Sequence, residues 1–257
     1  MKKLITSFLL VLAWMGGNAQ TETFRYGGQS ITVDINSTIN EYYENAINGS
    51  WNCMPAIIEC GAKKYGLQKA EYLYGMALMQ GIDMQRNFSE GMNWLRKAAN
   101  QGDAEAASEF GSYLNESGHA KEAEQYLLQA ARKPALYAYF NLGNLYMNQN
   151  KTDLAERYYL LAINNGPKGQ ADAIHNIVVL YSKQDRLIDI LSVLKRGAYT
   201  FYDPWSQGQL GYIYYYLGST FNNNPTSNEK REGLALLNKA AASGDQSALH
   251  HLQEINK

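Results

Sequence analysis

The chain of 257 residues carries only two cysteines, Cys53 and Cys60, and four histidines. A zinc site needs more Cys or His ligands than the Cys53–Cys60 region offers. His119 falls in an expected turn, and His250 and His251 are adjacent on an expected helix and so point apart. No ligand-spaced partner accompanies them or His175, and no metal site follows. The formal net charge is −1, without any run of Lys and Arg. The basic stripe of a nucleic-acid binder is therefore missing, and nothing suggests docking to an anionic membrane. G-x-S-x-G, P-loop and H-E-x-x-H patterns are also absent. Asp and Glu are scattered over helix starts and polar faces, where solvation and the helix dipole explain them. We assign no catalytic, cofactor-binding or metal-binding residue.

Long apolar runs are missing beyond residue 15, so no later segment suits a membrane span. The start of the chain reads as a secretory signal over residues 1–19. Lys2 and Lys3 form its charged end, Leu4 to Met15 its apolar core, and Gly17-Asn18-Ala19 its small-residue cleavage site before Gln20. At ~1.5 Å per residue the core is too short for ~30 Å of hydrocarbon. No cysteine follows it, which argues against a lipid anchor. We expect an exported protein, periplasmic or secreted. In that setting two cysteines suggest a disulfide. Seven residues along one straight helix would hold them ~10 Å apart, too far for a bond. Pro55 marks an expected helix start, however, which leaves Cys53 outside the helix and the bridge open.

What the sequence has in quantity is helical periodicity. Residues 20–37 read first as a small β-hairpin, with Phe24 and Tyr26 before Gly27-Gly28 and Ile31, Val33 and Ile35 after it. Its apolar side is expected to cap the first helices. Residues 38–69 form a worn helix pair: Ile39, Tyr42, Tyr43, Ala46 and Ile47 line one helix, and Ile57, Ile58, Gly61, Ala62 and Tyr65 the other. Five further pairs follow over 70–105, 106–137, 138–172, 173–205 and 206–247, and a single closing helix over 248–257. The clearest sign of repetition is a self-match. Residues 91–106, GMNWLRKAANQGDAEA, align without a gap to residues 233–248, GLALLNKAAASGDQSA. Two short helices cannot bury their own apolar faces, so such units stack on one another.

These residues resemble the Sel1-like repeats, relatives of the tetratricopeptide repeats. The pattern A-x-x-x-L-G-x-x-Y, a Gly-rich loop, then A-x-x-W/Y-x-x-x-A-A-x-x-G-x-x-x-A is met from Ala70 to Ala106, with Tyr74 and Leu78 as aromatic and aliphatic exchanges. It is met again in the last unit, with Ser206 at the opening position. The three middle units have short loops and look closer to plain tetratricopeptide repeats, which often end at a proline such as Pro134. The resemblance covers residues 70–257 well and 38–69 weakly. It implies an all-α fold: a right-handed α-solenoid of Sel1-like helix pairs behind a small N-terminal β-hairpin.

Gly75, Gly111, Gly143 and Gly211 fall where the two helices of a unit should cross, with Ala98, Ala130, Ala162 and Ala240 expected opposite them. Glycine inside a helix costs ~1 kcal/mol against alanine, so this recurrence needs a packing reason. Positions −6, −3, +1 and +4 from each glycine are expected to line a concave groove. They give Lys69, Tyr72, Met76 and Met79; Tyr137, Phe140, Asn144 and Met147; His175; and Trp205, Tyr212 and Tyr215, with Ser108, Ser112 and Asn115 on the second unit. Aromatic and methionine side chains suit capture of a peptide. The resemblance implies a non-catalytic scaffold for a protein or peptide partner in the cell envelope. Two alternatives are a cell-envelope enzyme acting on peptidoglycan or β-lactams and a glycan-binding surface built on the tyrosines.

Overall fold

Residues 20–257, except Pro134 and Pro167, are described by a computed structural model. The expected signal segment and the repeat end at Pro134 lie outside the described residues. The chain divides into two compact units, one ending at Asp103 and one beginning at Ala104.

In the first unit, β1 (Thr21–Tyr26) and β2 (Gln29–Asp34) pair antiparallel, with Thr21 opposite Asp34 and Tyr26 opposite Gln29. Gly27 and Gly28 both have positive φ, 55° and 80°, as a two-residue turn matched to the strand twist requires. Glu22, Phe24, Ile31 and Val33 share one half-buried face. Glu22 accepts hydrogen bonds from Lys64 and Tyr65, which ties the hairpin to the helical part. Ile35, expected in the second strand, instead opens α1 (Ile35–Ile47) and is fully buried. The reason is Asp34, whose carboxylate accepts the Ser37 N–H at 2.8 Å and caps the helix there.

Helix α2 (Pro55–Lys63) starts on its proline, where the missing N–H costs nothing. Helix α3 (Gln68–Gln80) ends on Gly81, left-handed at φ 75°, and α4 (Phe88–Asn100) follows. Every residue from Ala70 to Met79 is buried, because α3 packs against α1, α2 and α4 at once. Its one carboxylate, Glu71, is fully buried. Glu71 meets Lys97 Nζ at 2.7 Å and accepts from Gln101 Nε2 at 2.7 Å, so it clasps α3 to α4. Cys53 and Cys60 are both free, so the bridge left open by the sequence is not formed. Cys60 is the sixth residue of α2, and the rise of that helix carries it away from Cys53. Burial pushes the Cys53 thiol up to about 11, which leaves it an inert core side chain.

The second unit runs α5 (Ala104–Glu116), α6 (Ala120–Ala131), α7 (Ala138–Asn148), α8 (Thr152–Asn165), α9 (Gln170–Ser182), α10 (Leu187–Thr200), α11 (Pro204–Tyr212), α12 (Ser227–Ala242) and α13 (Gln246–Ile255). These helices pack in consecutive pairs, and α5, α7, α9 and α11 also touch in turn. Tyrosines near the ends of α7 and α9 fasten one pair to the one before. Tyr146 donates to Glu124 at 2.7 Å and Tyr181 to Glu156 at 3.0 Å. Arg186 meets Glu156 at 2.7 Å and lies over the Tyr181 ring at 4.1 Å. The Arg186 hydrogen bond holds the Glu156 carboxyl below its ordinary range.

The crossing glycines are where the spacing predicts, but they face different residues. A Cβ on Gly75 would lie 2.9 Å from the Gly91 carbonyl and 3.2 Å from Leu95, and one on Gly211 would lie 2.9 Å from the Gly233 carbonyl and 3.0 Å from Leu237. One on Gly111 would meet Leu127 at 2.7 Å, and one on Gly143 would meet the Tyr159 ring at 2.4 Å. The opposing residues are therefore Leu95, Leu127, Tyr159 and Leu237, each three positions before the expected alanine. In the last unit the alanine faces one turn lower: Ala240 lies 3.7 Å from the point where Gly208 would carry a Cβ. One helical turn of offset follows from the inclination of the paired axes.

The last unit departs from α geometry. Residues Ile213–Leu217 form a π-turn, closed by Gly218 N–H donating to the Ile213 carbonyl at 2.8 Å. Such an insertion rotates every following side chain relative to the α-helical count.

Candidate functional site: an amide-lined cleft on the first helices

A cleft of about 290 Å³ opens within the second unit, on the exposed side of α5, α7 and α9. Ser112, Asn115 and Glu116 line it from α5, Asn144, Met147 and Asn148 from α7, and Asn176 and Val179 from α9. No lysine, arginine or histidine is among the lining residues.

A ladder of side-chain amides joins the three helices. Asn148 Nδ2 donates to Asn115 Oδ1 at 3.3 Å, and Asn176 Nδ2 donates to Asn144 Oδ1 at 2.8 Å. One turn away, Asn141 Nδ2 donates to Ser108 Oγ at 3.1 Å. Each link spans one repeat, 32 or 33 residues. The ladder is held from below by Tyr159 of α8. Its ring passes over Gly143, is 1% exposed, and donates its hydroxyl to Asn144 Oδ1 at 2.9 Å. Burial raises that hydroxyl to about 12, so it remains a proton donor at neutral pH. Four polar atoms on the ladder have no protein partner among the described residues: the Asn115 and Asn144 amide N–H groups and the Asn148 and Asn176 carbonyl oxygens. A side-chain amide offers one carbonyl acceptor and two N–H donors. The row can therefore pair with peptide groups of an extended chain.

Aromatic pairs stand near the starts of α7, α9 and α11. Tyr137 and Phe140 meet edge to face at 6.5 Å. His175 packs on Trp205 with ring centroids 4.0 Å apart. His175 Nε2 also lies 3.4 Å from Asp203 Oδ2, which accepts from Ser206 N–H at 2.8 Å and from Ser206 Oγ at 2.5 Å. Burial opposes ionisation of Asp203, but the His175 and Ser206 hydrogen bonds outweigh it and hold the carboxyl below its ordinary value. The serine hydroxyl is spent on the aspartate rather than on the imidazole. This is a helix cap and not an activated nucleophile. No group of three or more His, Cys, Asp or Glu side chains able to hold a metal occurs among the described residues.

Paired helices crossing at small residues, repeated at this period, point to one kind of fold, and solved structures agree. A protective antigen present in uropathogenic Escherichia coli strains, which displays an SLR fold, superposes with a TM-score of 0.67 at 18% identity, over 86% of this chain and 48% of that one. The chain thus spans about half the length of that antigen. A Sel1 repeat protein from Oxalobacter formigenes superposes with a TM-score of 0.59 at 21% identity, over 81% of this chain and 88% of that one. The chain has the Sel1-like repeat fold. A type IV pilus biogenesis factor, PilW, superposes with a TM-score of 0.57 at 16% identity, over 85% and 98% of the two chains. No family model matches the chain, and no curated protein does.

Within this Sel1-like fold the residues expected in the groove divide. Asn144 and Met147 line the cleft, whereas Tyr137, Phe140, His175 and Trp205 are half-buried and lie outside its lining, nearer the starts of α7, α9 and α11. Tyr72, Met76 and Met79 do not face solvent. They are buried in the first unit, with Tyr72 against Tyr43 at 5.3 Å and Met79 against Gly91. Helix α3 is covered on all sides, so counting from Gly75 finds no open face there. Tyr212 and Tyr215 are both half-buried and both meet the Tyr216 ring, at 5.0 and 4.9 Å. Tyr215 also packs on the Leu237, Ala240 and Ala248 core, and Tyr212 reaches His251 at 4.7 Å. The π-turn re-aims the residues after Tyr212. Asn148, Asn176, Glu116 and Val179 were missed by the counting. Their signal was present as asparagines 32 or 33 residues apart in successive first helices.

Proposed function

We infer that the protein is a non-catalytic scaffold that holds an extended segment of a protein or peptide partner in the α5–α7–α9 cleft. The observation that carries this reading is the ladder of asparagine amides with unclaimed donors and acceptors, flanked by Met147 and Val179. Main-chain groups of a bound strand would meet the amides, and its side chains would meet the apolar flank and the Tyr137–Trp205 end. The spent serine hydroxyl near His175 supports the absence of catalysis. The charged, apolar and small-residue order of residues 1–19 supports export and action in the cell envelope.

The test is peptide-display selection on the full chain, followed by affinity measurements on Val179→Trp, which fills the cleft with neutral bulk at a half-exposed site. Binders should lose at least about tenfold in affinity while helicity is unchanged. Binders that ignore Val179→Trp would overturn the assignment. A second reading has its own observation: the Tyr212, Tyr216 and His251 rings form a surface cluster suited to stacking on a glycan. Binding on a glycan array that is lost in Tyr216→Ala would favour it.

A further inference from the structure

The next inference rests on the cleft being a peptide site and names what that site selects. We propose that the cleft takes a segment bearing a lysine or arginine, whose main chain spans the asparagine ladder and whose cation enters between Glu109 and Glu116.

Glu109, Ser112 and Glu116 stand at i, i+3 and i+7 and share one face of α5. Ser112 and Glu116 line the cleft, which places Glu109 one turn beyond that lining on the same face, toward Tyr137. Neither glutamate has a hydrogen bond or ion pair among the described residues. Several other acids of this unit are satisfied: Glu124 by Tyr146, Glu156 by Arg186, Asp203 by Ser206, and Glu229 by Ser219 and Thr226. Burial, and then Glu116, raises the Glu109 carboxyl above its ordinary value. Burial, Asp172 and Glu109, in that order, raise the Tyr137 hydroxyl. Two acidic side chains thus act on one ring at the cleft end, and no cation lines the cleft to balance them. Glu109 is half-buried and unpaired, and the exposed Glu116 adds like charge beside it, so the ionised form of Glu109 is costly. A ligand cation between them removes both penalties, which a neutral or acidic segment cannot do.

The amide ladder is the independent observation, since it fixes where the ligand main chain runs. Neighbouring helix axes lie ~8–10 Å apart, and an extended chain advances ~3.3 Å per residue. Crossing α5, α7 and α9 therefore takes about six residues. Charge chooses among such segments, and the amides hold whichever is chosen.

Ten-residue peptides selected by display on the full chain provide the test. Each is resynthesised with its lysines and arginines replaced by glutamine, and anisotropy titrations are run at low and high salt. The expected peptides carry a cation whose neutralisation weakens binding about threefold to tenfold at low salt, with less effect at high salt. A chain carrying Glu109→Gln and Glu116→Gln should bind the cationic and neutralised peptides equally. Val179→Trp should abolish both. If peptides lost by Val179→Trp show no cationic preference, this inference falls and the peptide site stands. If cationic peptides bind Val179→Trp unchanged, their attraction is to the general surface, and both readings fall.

Discussion

A methyl group at position 143 would stand 2.4 Å from both Cδ1 and Cε1 of Tyr159. Ordinary carbon contacts begin near 3.4 Å, so the ring would have to retreat by about 1 Å. It has nowhere to go, being planar, 1% exposed and anchored through its hydroxyl to Asn144. Overpacking of this kind costs ~1–3 kcal/mol. Replacing a helical glycine with alanine returns up to ~1 kcal/mol of backbone entropy. Gly143→Ala should therefore destabilise by about 1–2 kcal/mol, a fall of roughly 2–8 °C in melting temperature for a chain of this size. Gly111→Ala should cost less, because the obstructing atoms at 2.7 and 2.9 Å belong to Leu127, a side chain with freer rotamers. Circular dichroism melts of both variants, and of Gly143→Ala in a Tyr159→Leu background, decide the matter. Leucine is what the equivalent crossings at Gly111 and Gly211 already carry, so it should remove most of the penalty. A Gly143→Ala protein that melts at or above the parent temperature, or one equally damaged in the Tyr159→Leu background, would refute the packing argument. Peptide capture should also fall more in Gly143→Ala than in Gly111→Ala, since moving the ring drags Asn144 off the ladder.

Three other perturbations test the charged groups. Glu109→Gln should raise the melting temperature at neutral pH. The folded state holds the Glu109 proton more tightly than the unfolded chain does, so its contribution is present in acid and lost as pH rises through the raised value. Melts of parent and variant should therefore converge toward pH 4. Glu229 behaves in the opposite sense. Hydrogen bonds from the Ser219 side chain and main chain, and then from Thr226, lower it to about 2. Its stabilisation is full above pH 4.5 and disappears as pH falls toward 2. Glu229→Gln should melt below the parent at pH 7, and a gap that persists at pH 2 would count against this account. Lys97→Met leaves Glu71 fully buried with only Gln101 as its partner. Because Lys97 is half exposed, the loss should lie at or below the low end of the ~3–5 kcal/mol seen on breaking buried pairs. Urea titration of the variant measures it, and Glu71→Gln should partly rescue it.

Where the sequence was legible, it was so through local rules. Pro55 starts a helix because it lacks an N–H, and Gly27-Gly28 turns a hairpin because glycine tolerates positive φ. The site was legible only in part. Of the residues counted from the crossing glycines, Asn144 and Met147 line the cleft. The asparagine links did not come from that count, because each joins two helices a full repeat apart.

The amino-acid order alone determined the helices, their pairing and the glycines at which they cross, since each depends on residues within a few turns of one another. Tertiary packing decided which helix faces stayed open. Helix α3 is covered on every side, so Tyr72, Met76 and Met79 became core. The π-turn added one residue to the last crossing helix and brought Tyr216 against both Tyr212 and Tyr215. Tyr159 reached across Gly143 to set the amide ladder, an outcome that no single helix could specify, because periodicity describes one helix at a time and burial depends on its neighbours.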